Sequence, residues 1–307
     1  MDKIHFPYRS ESHLPFLHVV AESGSWEKHG LQVEYDYFIG ADDAHKAVAD
    51  GSVEFVSGNH LSTYAKRVRG DRWVYVGQSV SMLNHRLVTK ADSGISRVSD
   101  LKGKVVGTKG QHPGLNSWLF LKQNGLESDR GDVTIQRFKG EKGELWEAVR
   151  DGKADAAFIM PPQDIFARRA GLKVIELDPL PMVWFTTVST GMNLVEKNPD
   201  IVERCLKGIV EGIAFFKTHR EQAIKIIQDK YKDEGNLDPE TTLHLYNETA
   251  KILEPKPYPS MVALSNVYEI AIRQDKTAEK TPPLALWDFH FLRRLDDSGF
   301  IDGLYQT

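Results

Sequence analysis

Apolar positions fall into short strand-like runs separated by stretches of helical period. "KIHFPYR" reads as a strand, and "LPFLHVVAESGSWEKHG" as a helix beginning near Pro15 and closed by Gly30. "LQVEYDYF" then alternates apolar and polar residues, "DDAHKAVADG" carries a short helical period, and "VEFVSG" is the continuous run of a buried strand. A β-α-β-α-β order of this kind predicts a parallel sheet.

The same order recurs downstream. "KVVGTKG" predicts a strand, "LNSWLFLKQNGL" a helix closing on Gly125 and Leu126 as the first closes on Gly30 and Leu31, and "VTIQRF" a strand. "LWEAVRDGKADAAFIM" then echoes "HKAVADGSVEFVSG", with Ala148, Val149, Asp151, Gly152 and Asp155 standing where Ala47, Val48, Asp50, Gly51 and Glu54 stand. Such an echo predicts two lobes of similar build, each a small α/β unit. "HRLVTKADSGISRVSDLKGK" joins them as a strand and polar connector, and after the strand-like "PMVWFTTVSTGMNLVEKNPD" the pattern is helical to the end. The expected division is lobe 1 over 1–88, lobe 2 over 89–187, and a return to lobe 1 with C-terminal helices over 188–307. Two crossing segments would permit a hinge. The last amphipathic segment, with Trp287, Phe289, Phe291 and Leu292, is expected to dock on the first lobe.

Composition narrows the partner. The 39 basic and 43 acidic residues give a net charge of −4 with no long block of either sign, so neither nucleic acid nor a membrane surface is expected. No apolar run reaches membrane-spanning length. A small molecule is the expected partner. One cysteine, Cys205, excludes an intrachain disulfide and a multi-cysteine metal site, and its amphipathic context predicts a small core residue. No secretory leader is visible: Met1 as the natural start would mean a cytoplasmic protein, and a trimmed leader a periplasmic one.

The segments "ESGSWEKHGLQVEY", "AVADGSVEFVSGN", "SDLKGKVVGT", "VRDGKADAAF" and "VEKNPDIVERCLKGI" resemble, in this order and over nearly the whole chain, the periplasmic-binding-protein fold of type II. Within it they are similar to the NMT1/THI5-like and SsuA-like solute-binding proteins of ABC transporters. The resemblance implies a two-lobed α/β fold, each lobe a mostly parallel sheet flanked by helices, with a helical C-terminal tail on the first lobe. It implies a binding role with delivery to an ABC permease, and no cofactor. The superfamily also includes cytosolic enzymes, which implies as the alternative a decarboxylase or lyase acting on an aromatic or cyclic carboxylic acid, with a divalent metal in some cases. The desulfinase variant would place a cysteine near Glu11, where none stands, and no G-x-S-x-G elbow supports a hydrolase.

Ligands of open α/β sheets bind beyond the carboxyl ends of the strands. That rule selects Tyr8, Arg9, Glu11, His13, Asp42, Asn59 and His60 in the first lobe, His85 and Arg86 near the crossing, and His112, Asn116, Trp184 and Thr186 beyond it. Lys139 and Glu144 follow a further predicted strand. Arg9 and Arg86 suit a carboxylate or sulfonate, and "GQHPGLN" offers backbone donors at a helix start. Trp184 with Phe185, and Tyr8 with Phe38, read either as strand core or as stacking surfaces. Each histidine reads either as a solvated loop residue or as a ligand-facing imidazole. An enzyme would use His60 or His112 as proton donor and Arg9 to hold the carboxylate. A metal would fall to His13, His60 and a carboxylate from Glu11 or Asp42, although no recognised ligand spacing is present.

Overall fold

A computed structural model describes residues 1–58, 61–138, 145–231 and 237–306. Its contacts divide the chain into unit 1, Met1–Met82 with Pro181–Thr307, and unit 2, Leu83–Leu180. The strands in chain order are β1 (Asp2–His5), β2 (Leu31–Glu34), β3 (Phe55–Ser57), β4 (Trp73–Gln78), β5 (Met82–Leu83), β6 (Arg86–Thr89), β7 (Val105–Lys109), β8 (Thr134–Phe138), β9 (Ala156–Ile159), β10 (Lys173–Glu176), β11 (Leu180–Pro181) and β12 (Thr187–Gly191). The helices are α1 (Leu14–Glu22), α2 (Ala41–Asp50), α3 (Ser62–Val68), α4 (Gln111–Gln123), α5 (Leu145–Arg150), α6 (Gln163–Arg169), α7 (Met192–Lys197), α8 (Pro199–Thr218), α9 (Arg220–Lys230), α10 (Pro239–Ile252), α11 (Met261–Gln274), α12 (His290–Asp297) and α13 (Phe300–Gly303).

Unit boundaries follow strand pairing. β6 pairs with β9 and β10, so Arg86–Thr89 belongs to unit 2, and the division runs at Met82/Leu83, ahead of the position read from sequence. In unit 2 the sheet order is β8-β7-β9-β6-β10, with only β6 running against the others. In unit 1, β1 pairs parallel with β2, and Tyr8 bridges in parallel to both Phe38 and Ser57, while β12 pairs antiparallel with β3 and β4. The resulting order β2-β1-β3-β12-β4 is that of unit 2, with β12 taking the place of β6. Each sheet thus receives its one reversed strand from the segment that follows a crossing.

Local chemistry repeats as well. Gly30 and Gly125 are left-handed, with φ of +71° and +80°, and the following Leu31 and Leu126 donate back to Trp26 and Leu121 at 3.2 and 2.9 Å. This is the 6→1 closure that frees the next residue to start a strand or turn. Glu54 and Asp155 each accept a backbone N–H, from His5 and Val105, both at 2.7 Å. The acidic residue of each echo therefore fastens the strand next to its own. The expected single helix from Pro15 to Gly30 is two pieces: α1 ends at Glu22, Gly24 turns the chain at φ +71°, and a 3-10 turn spans Glu27–His29.

The unit 1 core joins α1 to α8, where Val202, Cys205, Leu206, Ile209, Ile213 and Phe216 form one buried stripe. Burial pushes the Cys205 thiol up, as its core reading requires. Phe291 and Leu292 of α12 are fully buried in the same core, so the C-terminal segment packs on unit 1. Unit 2 buries one cluster on the α4 side of its sheet, around Val106 and Leu121, and another on the α5 side, around Ala157 and Val149. Among the described residues no helix is long and apolar enough to cross a membrane.

Candidate functional site

In unit 1 the candidate residues gather beyond the carboxyl ends of β1 and β3. Tyr8 N–H donates to the Tyr37 carbonyl at 3.0 Å and Arg9 N–H to the Ser57 carbonyl at 3.1 Å, which fixes the loop after β1 between its two neighbours. Gly58 has φ +115°, and a Cβ there would lie 3.0 Å from Arg9 Cβ and 3.2 Å from His13 Cε1. Only glycine combines that backbone with so close an approach. His13 is buried, its Nδ1 2.7 Å from Ser57 Oγ and its ring 5.7 Å from Phe185.

Arg9 donates to the Ile39 carbonyl and lies 5.8 Å from the centroid of the Phe38 ring. Burial lowers its pKa, opposed by the charges of Asp42 and Asp43. Phe38 is 60% exposed, so it is not strand core: β2 stops at Glu34 and the ring stands in the loop beyond. With Tyr8 at 6.2 Å and edge-on, it forms an aromatic surface beside the Arg9 guanidinium. Phe185, by contrast, is buried, and Trp184 is half-buried.

Thr186 carries a left-handed φ of +59°, a conformation that costs a non-glycine residue on the order of 1 kcal/mol. The buried Gln78 side chain holds that turn, donating to the Val80 and Trp184 carbonyls and accepting from Thr187 Oγ1 at 2.6 Å. Glu11 is exposed, and Asp42 is exposed and bonded to Lys66 at 2.9 Å. Asn59, His60, Lys139 and Glu144 lie outside the described residues. Among the described residues no three His, Cys, Asp or Glu side chains converge as a metal ion requires.

In unit 2 the carboxyl ends of β7 and β9 and the start of β6 share one edge of the sheet. His85, just ahead of β6, is buried and stacks on Phe158 of β9 at 5.1 Å and 20°, with Phe120 of α4 edge-on at 4.3 Å. Its Nε2 has no hydrogen-bond partner, and burial, reinforced by the Arg86 charge, pushes its pKa down to about 3. His85 is therefore a neutral imidazole at physiological pH. Asn116 lies one turn before Phe120 on α4 and so shares its face. Its amide is buried, with neither the nitrogen nor the oxygen bonded. Thr108, which packs beneath Gly114 of α4, is buried with an unbonded hydroxyl.

Sequence reasoning missed Thr108 and Lys109. The strand-end rule selects residues from Gly110 onward, whereas β7 runs through Lys109, whose side chain is buried and has no ion-pair partner among the described residues. The available signal was a lysine closing the apolar run "KVVGTKG". Arg86 is committed differently: Nε lies 3.0 Å from Glu176 and 3.6 Å from the buried Asp164. His112 sits half-buried in the first turn of α4.

The NMT1/THI5-like family model matches residues 11–223. A candidate binding protein of Brucella abortus is 27% identical over 231 residues, covering 72% of this chain and 69% of that protein. The periplasmic aliphatic sulphonate binding protein SsuA from Escherichia coli is 19% identical and superposes with a TM-score of 0.71 over 94% of this chain and 92% of that one. The desulfurization enzyme DszB, in complex with biphenyl-2-sulfinic acid, gives 13% identity and a TM-score of 0.67 over 97% and 100%. At these identities the solved structures establish the fold, which is the periplasmic-binding-protein fold of type II.

Proposed function

The chain belongs to the NMT1/THI5-like family, and from that premise we propose that it is a solute-binding protein for a small organic anion, a carboxylate or sulfonate. The observation that carries this reading is the strand-end edge of unit 2. Lys109 is a buried cation with no ion-pair partner among the described residues, and Asn116, Thr108 and His85 are buried polar side chains with unbonded atoms. Leaving such groups unbonded costs about 1–3 kcal/mol each, and a ligand bearing anionic oxygens offers acceptors to the donors among them, Lys109 Nζ, Asn116 Nδ2 and the Thr108 hydroxyl. His85 between Phe120 and Phe158 adds an aromatic wall that suits a ring-bearing acid. SsuA, which shares the fold, is named for aliphatic sulphonate binding, the same anion chemistry. As a transport receptor the chain would hand its ligand to an ABC permease.

Arg9, Phe38 and Tyr8 offer the corresponding surface in unit 1, a guanidinium beside two aromatic rings. Arg9 donates to the Ile39 carbonyl already, so its part in binding is as a positioned charge rather than a free fork.

Native mass spectrometry of the intact chain, followed by calorimetric titration with benzoate and benzenesulfonate, tests the reading. An acid that is recovered unchanged, and whose affinity falls by about tenfold or more in Lys109→Met, supports it. Release of carbon dioxide from bound carboxylates would replace it with a decarboxylase. Absence of saturable binding to either probe in the millimolar range would overturn the anion assignment.

A further inference from the structure

Unit 1 carries a cavity of about 520 Å³ at the opposite end of its sheet from the residues discussed above. Its floor is Trp73, the first residue of β4, and its rim includes Gly191, the last residue of the reversed β12, which pairs with Trp73. Gln78 and Thr187, which hold the strand-end turn, pair at the other end of the same two strands. Five residues along a strand separate Trp73 from Gln78, roughly 17 Å. The cavity is therefore a separate place in the fold.

Its lining has one chemical character. Lys66, Arg69 and Arg72 bring three cations, and the half-buried Met192 supplies an apolar wall backed by the buried Val48 and Trp73. Asp71 is the single carboxylate in the lining, and both of its oxygens are occupied: Oδ2 lies 2.5 Å from His45 Nδ1, and Oδ1 accepts the Trp73 N–H at 3.1 Å. His45 is itself held from the other side, its Nε2 3.0 Å from Ser62 Oγ. The Asp71 carboxylate is thus committed to His45 and to the Trp73 N–H rather than to the lining cations.

Those cations are tied only loosely. Lys66 pairs with Asp42 at 2.9 Å, Arg69 with Asp275 at 2.9 Å and Arg72 with Glu196 at 2.5 Å. None of the three acids lines the cavity. The pairs are solvent-accessible, and exposed pairs of this kind contribute about 0–1 kcal/mol, so an anion entering between the cations replaces a weak partner at small cost. The volume falls within the range of about 300–1,000 Å³ that holds small organic ligands.

We propose that this cavity is a second binding site, for an amphiphilic organic anion whose carboxylate or sulfonate meets Arg69, Arg72 and Lys66 while its apolar body rests on Met192, with the buried Trp73 directly behind the contact. Occupancy there would bear on the strand pair β4–β12, which joins Trp73 with Gly191 at the cavity and Gln78 with Thr187 at the turn.

The test uses the full chain labelled with nitrogen-15 at its tryptophan indoles and benzenesulfonate as probe. Of the 6 tryptophans, Trp73 is assigned by its missing resonance in Trp73→Phe. The Trp73 indole resonance should shift saturably, with a midpoint raised roughly fivefold or more by the paired substitutions Arg69→Gln and Arg72→Gln, which remove only exposed charges. Asn116→Leu should leave that midpoint unchanged. A Trp73 resonance that does not move up to tens of millimolar probe, or one whose midpoint is indifferent to the paired arginine substitutions, overturns the proposal. So does a midpoint that follows Asn116→Leu, because the shift would then be transmitted from the first site. Failure of the first site to bind benzenesulfonate leaves the Trp73 readout intact, so the two claims fail separately.

Discussion

Replacing Asn116 by leucine separates a residue kept for binding from one kept for folding. The amide is buried in the second turn of α4 with its oxygen and its nitrogen both unbonded, and each unmade bond costs about 1–3 kcal/mol. Leucine has nearly the same volume and carries no polar atom, and it faces Phe120, which is apolar. A few tenths of a kcal/mol also come from its better helix propensity. Changes in branching and the adjustment of neighbours offset part of the gain, so the ligand-free protein should gain on the order of 1–3 kcal/mol. Urea unfolding followed by far-ultraviolet circular dichroism reads this as a higher midpoint at unchanged slope. Calorimetry on the same sample should show affinity for benzoate or benzenesulfonate reduced by about tenfold, since a donor worth about 1.4 kcal/mol is gone. A variant less stable than the parent by about 1 kcal/mol would mean that the amide is satisfied in solution, and the reasoning from unbonded atoms would fall. A stabilised variant with unaltered affinity would leave Asn116 outside the site.

Three further outcomes follow from other parts of the molecule. The folded-state pKa of His85 is depressed to about 3, below the unfolded value of about 6.5, so the unfolded chain binds the proton first: this residue makes no difference above pH 6.5, and between there and about pH 3 it costs roughly 1.4 kcal/mol per pH unit. His85→Gln should flatten the acid side of the stability profile relative to the parent, and superimposable profiles would refute the neutral-imidazole reading. Asp164→Ala removes a carboxylate that is 1% exposed and leaves the buried Arg86 with Glu176, whose side chain is exposed, so it should destabilise by about 1–3 kcal/mol in chemical denaturation, whereas Lys225→Ala, which breaks an exposed pair with Asp229, should change stability by less than about 0.5 kcal/mol. Gly208→Ala places a methyl 2.2 Å from Trp26 Cδ1 inside the core of unit 1 and should cost about 1–3 kcal/mol despite the better helix former, while Gly303→Ala, with nothing within 4 Å, should be neutral or slightly stabilising. Equal thermal midpoints for the two glycine variants would refute the packing argument.

What was legible in the sequence was what local chemistry determines. The Gly30-Leu31 and Gly125-Leu126 closures could be matched by eye because a left-handed glycine and a 6→1 bond involve only the preceding turn. The α8 stripe was legible because its apolar positions recur at helical spacing over 20 residues. The α1 segment misled for the complementary reason: Gly30 reads as the closing glycine of one helix, whereas the break at Gly24 is a backbone decision that the apolar pattern does not record.

The site was legible as a place and not as a set of bonds. Among the described residues, Arg9 and His13 stand beyond the end of β1, where the fold rule puts them, yet their chemistry depends on partners far along the chain. His13 is met by Ser57 44 residues away, and Gln78 is met by Thr187 109 residues away. Arg86, which by sequence suits a ligand carboxylate or sulfonate, is met instead by Asp164 and Glu176. Lys109 and Asn116 acquired their interest the opposite way, through partners that the packing of β7 and α4 does not supply among the described residues. A sequence reports which side chains can donate, accept or carry charge. Which of those capacities folding has already consumed is decided by long-range packing, and the capacities left over are what a ligand can recognise. In this chain the neutral His85, the unbonded Asn116 and the buried Lys109 are such remainders, gathered on one edge of one sheet, while most of the charged residues around them are spent on one another.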